Sequence, residues 1–286
     1  MRKVAIIFDS TAIINEENIK KYDISFVSLN VAINGENFRS MDLDEEKFKN
    51  EFLTYKSVKS GSPSPHDFEE AINRKFDEGY KEVVVITLSS KISATYNVAG
   101  MGREALSEER KANTYIHDSL FGSIGQDVLI KSMESLLDKD PSASEIMEAL
   151  EARLAQNTIL FELNDLKHLH KGGRLSTLKY LISMALKIKP LVEFSNGELK
   201  VVGQNRNRSK TIDIIMNRID GFVSKFKNIY VNLFSYHPDD NIFIAVHDII
   251  KKRWPQIELN MTTRIEPIFM THVGVNGYAV SIVSFN

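Results

Sequence analysis

Hydroxyl groups gather where strands should end. Asp9-Ser10-Thr11 follows the apolar run Val4–Phe8, Ser89-Ser90-Lys91-Ile92-Ser93 follows Val83–Leu88, and Asp118-Ser119 follows Thr114–His117. Ligands of an α/β sheet collect outside the carboxyl ends of its strands. Neutral hydroxyl donors meeting there suit a carboxylate or phosphate held without a formal counter-charge. The loop Ser60-Gly61-Ser62-Pro63-Ser64 adds more donors of this kind, and His272 in Thr271-His272-Val273-Gly274 adds an imidazole. Taken singly, each serine reads as a turn or cap residue. The residues by themselves describe an α/β protein able to bind a small anion.

Other chemistries lack their residues. Asp9-Ser10-Thr11 invites a haloacid-dehalogenase-type phosphotransferase, but that reaction needs a second aspartate where Thr11 stands. Asp9 therefore reads as the cap of the next turn. No Walker pattern and no G-x-G-x-x-G opens a helix, and Gly100-Met101-Gly102 sits inside an expected helix with the wrong spacing. The seven histidines never form H-x-x-x-H or H-E-x-x-H, and His168 and His170, two apart on an expected helix, point in different directions. No metal site is expected, and no G-x-S-x-G signals a nucleophile elbow.

The elements that must position these groups follow from periodicity and punctuation. In the first half, buried strands alternate with helices. Strands are expected at Val4–Phe8, Ile24–Ile33, Val83–Leu88 and Thr114–His117. Helices are expected from Asp42 to Tyr55, from Ser64-Pro65 to Gly79, from the Ser93 turn to Leu106, over Ile124–Leu137, and from Ser142 to Gln156. This alternation predicts a mainly parallel sheet covered on both faces. The second half has a different grammar: a strand at Thr158–Phe161, a helix ending at Lys171-Gly172-Gly173-Arg174, and an apolar helical segment Leu178–Ile188. A hairpin follows around Asn196-Gly197, then helices over 209–226 and 239–253, with strands at Ile229–Phe234, Ile257–Met261 and Tyr278–Phe285. A boundary near Asn157 divides the chain into closely packed α/β domains, 1–157 and 158–286.

Composition narrows the partners. At roughly 100–200 residues per domain, the chain suits two domains. Its 36 basic and 38 acidic residues leave a net charge of −2, which gives no general reason to bind nucleic acid or an anionic membrane. The absence of cysteine excludes disulfides, thiol catalysis and cysteine-ligated metal. The apolar run after Met1-Arg2-Lys3 stops at Asp9, too short for a signal-peptide core, and no run approaches about 18 apolar residues. A cytoplasmic protein without an integral membrane segment is expected.

The same segments resemble the DegV family of bacterial fatty-acid-binding proteins. Phe8-Asp9-Ser10-Thr11 is similar to its opening D-S motif, and Lys59-Ser60-Gly61-Ser62-Pro63-Ser64-Pro65 to its K-T-S-Q-P-S-P loop. Leu88–Tyr96 resembles its L-S-S-x-L-S-G-T-Y turn. Asp118-Ser119 with Gly125-Gln126, Leu169-His170-Lys171-Gly172-Gly173-Arg174-Leu175, Lys189-Pro190-Leu191 and Thr271-His272-Val273-Gly274 occur in the family's order. Several such segments in sequence are specific for the family, and less so for the ligand. Gly61-Ser62, Ala94, Asp127 and Val275-Asn276 depart from the family pattern, the first two and the last near the expected head-group site.

The resemblance implies a two-domain α/β fold, also seen in one domain of dihydroxyacetone kinases, with a single long-chain fatty acid in an apolar tunnel between the domains. It further implies that a fatty acid kinase partner phosphorylates the bound carboxylate, and that this chain neither catalyses a reaction nor needs a cofactor. By motif position Ser60, Ser93, His272 and Arg206 would bind the carboxylate, with Ser93 and His272 meeting at it. Without the resemblance, Ser60 and Ser93 read as residues at helix starts, His272 as a packed core histidine, and Arg206 as a solvated charge at the end of a hairpin. Lys171 and Arg174 flank the Gly-Gly turn, where their side chains should reach solvent; there they either cap a helix carboxyl end or face an acidic patch on the kinase. Two other readings compete: a small-molecule kinase- or hydrolase-like enzyme using Ser93 or His272, and a regulatory module that merely keeps the fold.

Overall fold

A computed structural model describes residues 2–163, 166–174, 189–203, 208–237 and 240–285. Arg206 and the segment Leu178–Ile188 lie outside the described residues. The first strand, β1 (Val4–Asp9), is buried at every position, as an inner strand of a doubly covered sheet must be. It is followed by α1 (Glu16–Tyr22), β2 (Ser25–Val27), β3 (Asn30–Ile33), β4 (Glu36–Arg39), α2 (Glu45–Glu51) and β5 (Val58–Gly61). Then come α3 (Pro65–Asp77), β6 (Glu82–Thr87), α4 (Thr95–Glu104), α5 (Glu108–Ala112), β7 (Thr114–Asp118), α6 (Ile124–Leu137) and α7 (Ala143–Leu154). A four-stranded parallel sheet takes the order β2-β1-β6-β7. Side chains alternate across it. Val4, Ile6 and Phe8 pack against Leu129, Ile130 and Met133 of α6, while Ala5 and Ile7 pack against Phe68 and Ile72 of α3.

The expected strand Ile24–Ile33 is instead two strands in two sheets. β2 joins the parallel sheet, and β3 leaves it to form an antiparallel sheet of order β4-β3-β5. The cause is polar: Leu29 N–H donates to the buried Ser10 hydroxyl at 2.9 Å, and Ser40 N–H donates to the Leu29 carbonyl at 2.8 Å, which diverts the chain between the strands. Asn34 and Gly35 take positive φ in the tight turn joining β3 to β4. The helix expected from Asp42 starts later, where the Asp44 carboxylate accepts Lys47 N–H, and it tightens into a 3-10 turn at Phe52–Thr54. At α3 the Ser64 and Asp67 side chains exchange capping bonds, with Pro65 at the first turn.

The second half supplies β8 (Asn157–Leu163), α8 (Lys167–Lys171), β9 (Leu191–Ser195), β10 (Glu198–Gly203), α9 (Arg208–Val223) and β11 (Asn228–Ser235). It ends with α10 (Asn241–Arg253), β12 (Glu258–Thr262), α11 (Pro267–Val273) and β13 (Gly277–Phe285). These strands form a mixed sheet of order β10-β9-β8-β13-β11-β12, in which only the β11–β12 pair is parallel. One face of this sheet is covered by α9 and α10, through Ile215, Ile219, Ile242 and Val246. The other face turns Ile159, Phe194 and Phe234 toward Leu88 at the end of β6 and toward Leu29 and Val31 of the small sheet. No described helix is long and apolar enough to cross a membrane.

Candidate functional site

That second face encloses a cavity of about 340 Å³. Leu29, Leu88, Ile92, Ile124, Phe194 and Phe269 are among its apolar walls, drawn from both halves of the chain. Its polar lining includes Ser60, Ser62, Ser93, Arg174 and His272. A mainly apolar cavity with a few polar groups on its wall suits an amphipathic molecule.

Each polar group has a separate structural origin. Ser60 lies on β5, paired with Val31, and its hydroxyl is 2.7 Å from His272 Nε2. His272 occupies the last turn of α11, a helix absent from the sequence reading although Pro267 at its first turn was an available start signal. His272 Nδ1 is buried with no hydrogen-bond partner among the described residues and faces Gly172 at the end of α8. Gly172 has an ordinary helical backbone, with φ of −77°. It is needed for space, since a Cβ there would collide with the imidazole. Burial first, and then the charge of Arg174, push the His272 ring down to about 4, so it is neutral at physiological pH. Behind it, Gly274 holds φ +79°, and its carbonyl accepts the buried Tyr236 hydroxyl at 2.6 Å. This bond anchors the turn that departs from the family pattern at Val275-Asn276.

Ser93 precedes α4. Its hydroxyl lies 2.9 Å from that of Thr95 and accepts Thr95 N–H at 3.3 Å, and the Thr95 hydroxyl reaches Ser62 Oγ at 3.5 Å. Ser62 and Thr95 extend the polar group beyond the residues singled out from sequence. For Ser62 the signal was its two-residue spacing from Ser60 on extended chain, which places both on one face. Tyr236 carried no local signal, and the sequence marked Gly172 only as the end of a helix. Arg174 turns inward rather than to solvent: its Nε donates to the Ile92 carbonyl at 3.1 Å and Nη1 to the Gly172 carbonyl at 2.7 Å. Lys171 remains exposed at the end of α8. Arg206 is outside the described residues.

The other hydroxyls at strand ends are structural. Ser10 pairs with Ser40 at 2.7 Å, and Ser119 accepts Phe121 N–H at 3.1 Å. Asp9 is buried and accepts N–H bonds from Thr11 and Leu88, so it joins the carboxyl ends of β1 and β6 as well as capping the turn. Burial raises its carboxyl to about 6. Gly102 is also structural: a Cβ there would lie 2.6 Å from the Pro65 carbonyl, so α3 and α4 touch backbone to backbone. Among the described residues no group of three or more histidine, cysteine, aspartate or glutamate side chains could hold a metal ion.

Comparison with known proteins decides the family. The model of the DegV family, described as a family of uncharacterised proteins, matches residues 3–284. The chain belongs to the DegV family. A DegV domain-containing protein of Clostridium acetobutylicum is 30% identical over 219 residues, 76% of each chain. Among solved structures of this fold, a stearic acid-binding protein from Eubacterium ventriosum aligns with TM-score 0.85 at 21% identity, covering 99% of this chain and 98% of its own. The fatty acid kinase B3 protein of Streptococcus pneumoniae, loaded with linoleic acid, aligns with TM-score 0.77 at 18% identity, covering 99% and 100%. At these identities the solved structures establish a shared DegV fold, in which the apolar cavity described above is embedded.

Proposed function

We propose that this DegV protein binds one long-chain fatty acid, with its tail in the cavity and its carboxylate at Ser60, Ser62 and Ser93, and presents that carboxylate to a fatty acid kinase partner. The observation that carries the reading is a mainly apolar cavity of about 340 Å³ whose polar lining includes hydroxyls, a neutral imidazole and one inward-turned arginine, with Glu162 and Asn276 also on its wall. A sixteen-carbon acid has about fourteen methylenes, worth roughly 0.8 kcal/mol each on burial, an upper limit near 11 kcal/mol before the costs of association. Charge-assisted bonds to the head group add about 1–3 kcal/mol each and keep the carboxylate from being stranded in a dry site. The tail supplies affinity and the head group sets direction. Stearic and linoleic acid in the two structural neighbours support the ligand class, and the name of the second supports the partner. The 1–157 and 158–286 division belongs to the same proposal, with the acyl chain lying between the two units.

The enzyme reading gains one feature and lacks two. Ser60 and His272 have the spacing of a nucleophile and its base. A ring pushed down to about 4 is, however, a weak base at neutral pH, and no acid orients Nδ1 among the described residues.

Mass spectrometry of an organic extract of the purified protein tests the carrier. About one long-chain acid per chain is the expected result, and repeated native and denaturing spectra free of any lipid would sink it. The partner is tested in the same preparation with a fatty acid kinase and ATP. Lys171→Glu should slow acyl-phosphate formation while lipid content stays constant, and unchanged turnover would remove this surface from the proposal.

A further inference from the structure

We propose that residues 28–62 form a flap that opens to let the ligand into the cavity, and that Glu45 latches this flap to the second half of the chain. The ligand's identity rests on the fatty-acid reading, and the flap on geometry alone. The segment leaves the parallel sheet after β2 and returns to the first half at the cap of α3. Between those points it forms its own sheet, β4-β3-β5, which among the described residues joins no strand of the other two sheets. Its inner side carries Leu29, Val31, Phe48 and Phe52, in one apolar cluster with the cavity-wall residues Phe194 and Ile268. Its outer side faces solvent: β4 is exposed at every position, and Leu53 is 74% exposed. The segment is a roof over the cavity, and lifting it opens the interior.

The roof is attached differently at its two ends. At its root the chain crosses twice, over 27–30 and 61–64. Leu29 N–H donates to Ser10 Oγ at 2.9 Å, the Ser10 and Ser40 hydroxyls lie 2.7 Å apart, and Asn30 Nδ2–H donates to the Ser62 carbonyl at 3.1 Å. These bonds tie both crossings to the end of β1, so a few residues there can absorb a rotation, as a hinge does. At the far end Glu45, in the first turn of α2, reaches the second half. Its Oε1 accepts Ile265 N–H at 2.9 Å, and its Oε2 lies 3.7 Å from Arg264 Nε. Ile265 is itself part of the cavity wall. A second polar tie is the contact of Ser60 with His272. Elsewhere the halves meet along a broad seam. Val128 of α6 packs on Tyr230 and Val283, Asn232 Nδ2–H donates to Asp127 at 3.0 Å, and Asn157 Nδ2–H donates to the Gly125 carbonyl at 3.2 Å. Water can replace the partners of a polar latch once it opens, whereas parting the seam would strand buried groups. Exposure of the flap's apolar side keeps the open state minor.

Two measurements on the full chain test the flap and its latch. The chain has no cysteine, so nitroxide labels at Leu53→Cys and Lys252→Cys, both exposed, report the flap against α10 without background. Pulsed electron resonance should give one narrow distance in the lipid-loaded protein and a second, longer one after delipidation. A control pair, Glu148→Cys on α7 with Lys252→Cys, should keep one distance in both states, since neither label rides on the flap. An unchanged Leu53 distance would overturn the flap, and equal shifts in both pairs would replace it with rotation of the two halves. Stopped-flow mixing with a fluorescent polyene fatty acid tests the latch. Glu45→Ala should speed association and release together, each about tenfold, the low end for a lost bond to a charged group. Kd should stay within about threefold of the parent, because a latch acts on the open population of free and loaded protein alike. Glu45→Gln, whose amide oxygen can still accept Ile265 N–H, should keep both rates within about threefold of the parent. Faster release with unchanged association would overturn the latch and make Glu45 a prop for the bound state only. A parent chain that binds no probe would remove the fatty-acid reading alone. The flap and latch would then stand or fall on whether Glu45→Ala lengthens the Leu53 distance in the ligand-free protein.

Discussion

At the scale of single residues, the site depends on an atom that is absent. α8 and α11 lean on each other through glycines: Gly172 faces the His272 ring, and Gly274 faces the ring of His168, whose Cδ2 would be 3.0 Å from a Cβ at Gly274. The two glycines differ physically. Gly274 has φ +79°, so any side chain there is strained, whereas Gly172 would accept alanine on backbone grounds and refuses it only for lack of room. Gly172→Ala therefore separates space from conformation. It should push His272 away from Ser60 and weaken fatty-acid binding about tenfold, at a stability cost of about 1–3 kcal/mol for overpacking. Binding titration beside a urea melt checks both. Unchanged affinity would show that the ring can slide without consequence.

At the scale of elements, the polar group is assembled from the leading ends of two helices. Ser62 lies before α3 and Ser93 before α4, and those helices are held in contact at Gly102. A β-carbon at 102 would meet the Pro65 carbonyl and Phe68 Cβ, neither the free end of a flexible side chain. Gly102→Ala should move α4 bodily away from α3 and draw Thr95 from Ser62, lowering stability by about 1–3 kcal/mol. Denaturant midpoints measure the first effect, and a crystal structure of the variant the second. A variant as stable as the parent would show that the two helices can separate without strain. The same logic explains the motif itself: Gly100-Met101-Gly102 has no phosphate to cradle, and its second glycine exists for helix packing.

At the scale of the whole molecule, buried ionisable groups set opposing dependences on pH. Asp127, where the family has glycine, is only 4% exposed between α6 and β11, accepting Asn232 Nδ2–H at 3.0 Å and lying 3.5 Å from the Tyr230 hydroxyl. Burial raises its carboxyl from 3.8 to about 7. Glu266, enclosed and beside Glu45, also rises to about 7. For such acids the folded chain holds a proton that the unfolded chain has released, so stability falls as pH rises from about 4 to about 7. His117 and His272 act the other way. Both are pushed down to about 4 by burial, so the folded chain excludes a proton the unfolded chain binds, and stability rises with pH from about 4 to 6.5. Asp127→Asn removes one acid from this balance. Relative to the parent chain, the variant should gain stability between pH 5 and pH 7, by up to about 1.4 kcal/mol per pH unit. Urea midpoints at pH 5 and 8 check this, and a difference that did not change with pH would show that the carboxyl is hydrated.

Much of this architecture is written locally. The all-apolar run of β1, the capping exchange between Ser64 and Asp67, and the turns at Asn34-Gly35 and Asn196-Gly197 each depend on residues a few positions apart, and each was legible because φ/ψ preference and side-chain period act over that range. The motif order also pointed to the family and to Ser60, Ser93 and His272. What could not be read was who meets whom. Ser60 and His272 stand 212 positions apart and touch because β5 and α11 close over one cavity from opposite halves of the chain. Arg174 turns inward because the Ile92 and Gly172 carbonyls wait there, and the chain divides between β2 and β3 because Ser10 and Ser40 capture the backbone of Leu29. Local sequence sets which conformations are cheap, while the partner of a buried polar atom is chosen by the packing of the sheets and helices that bring it there.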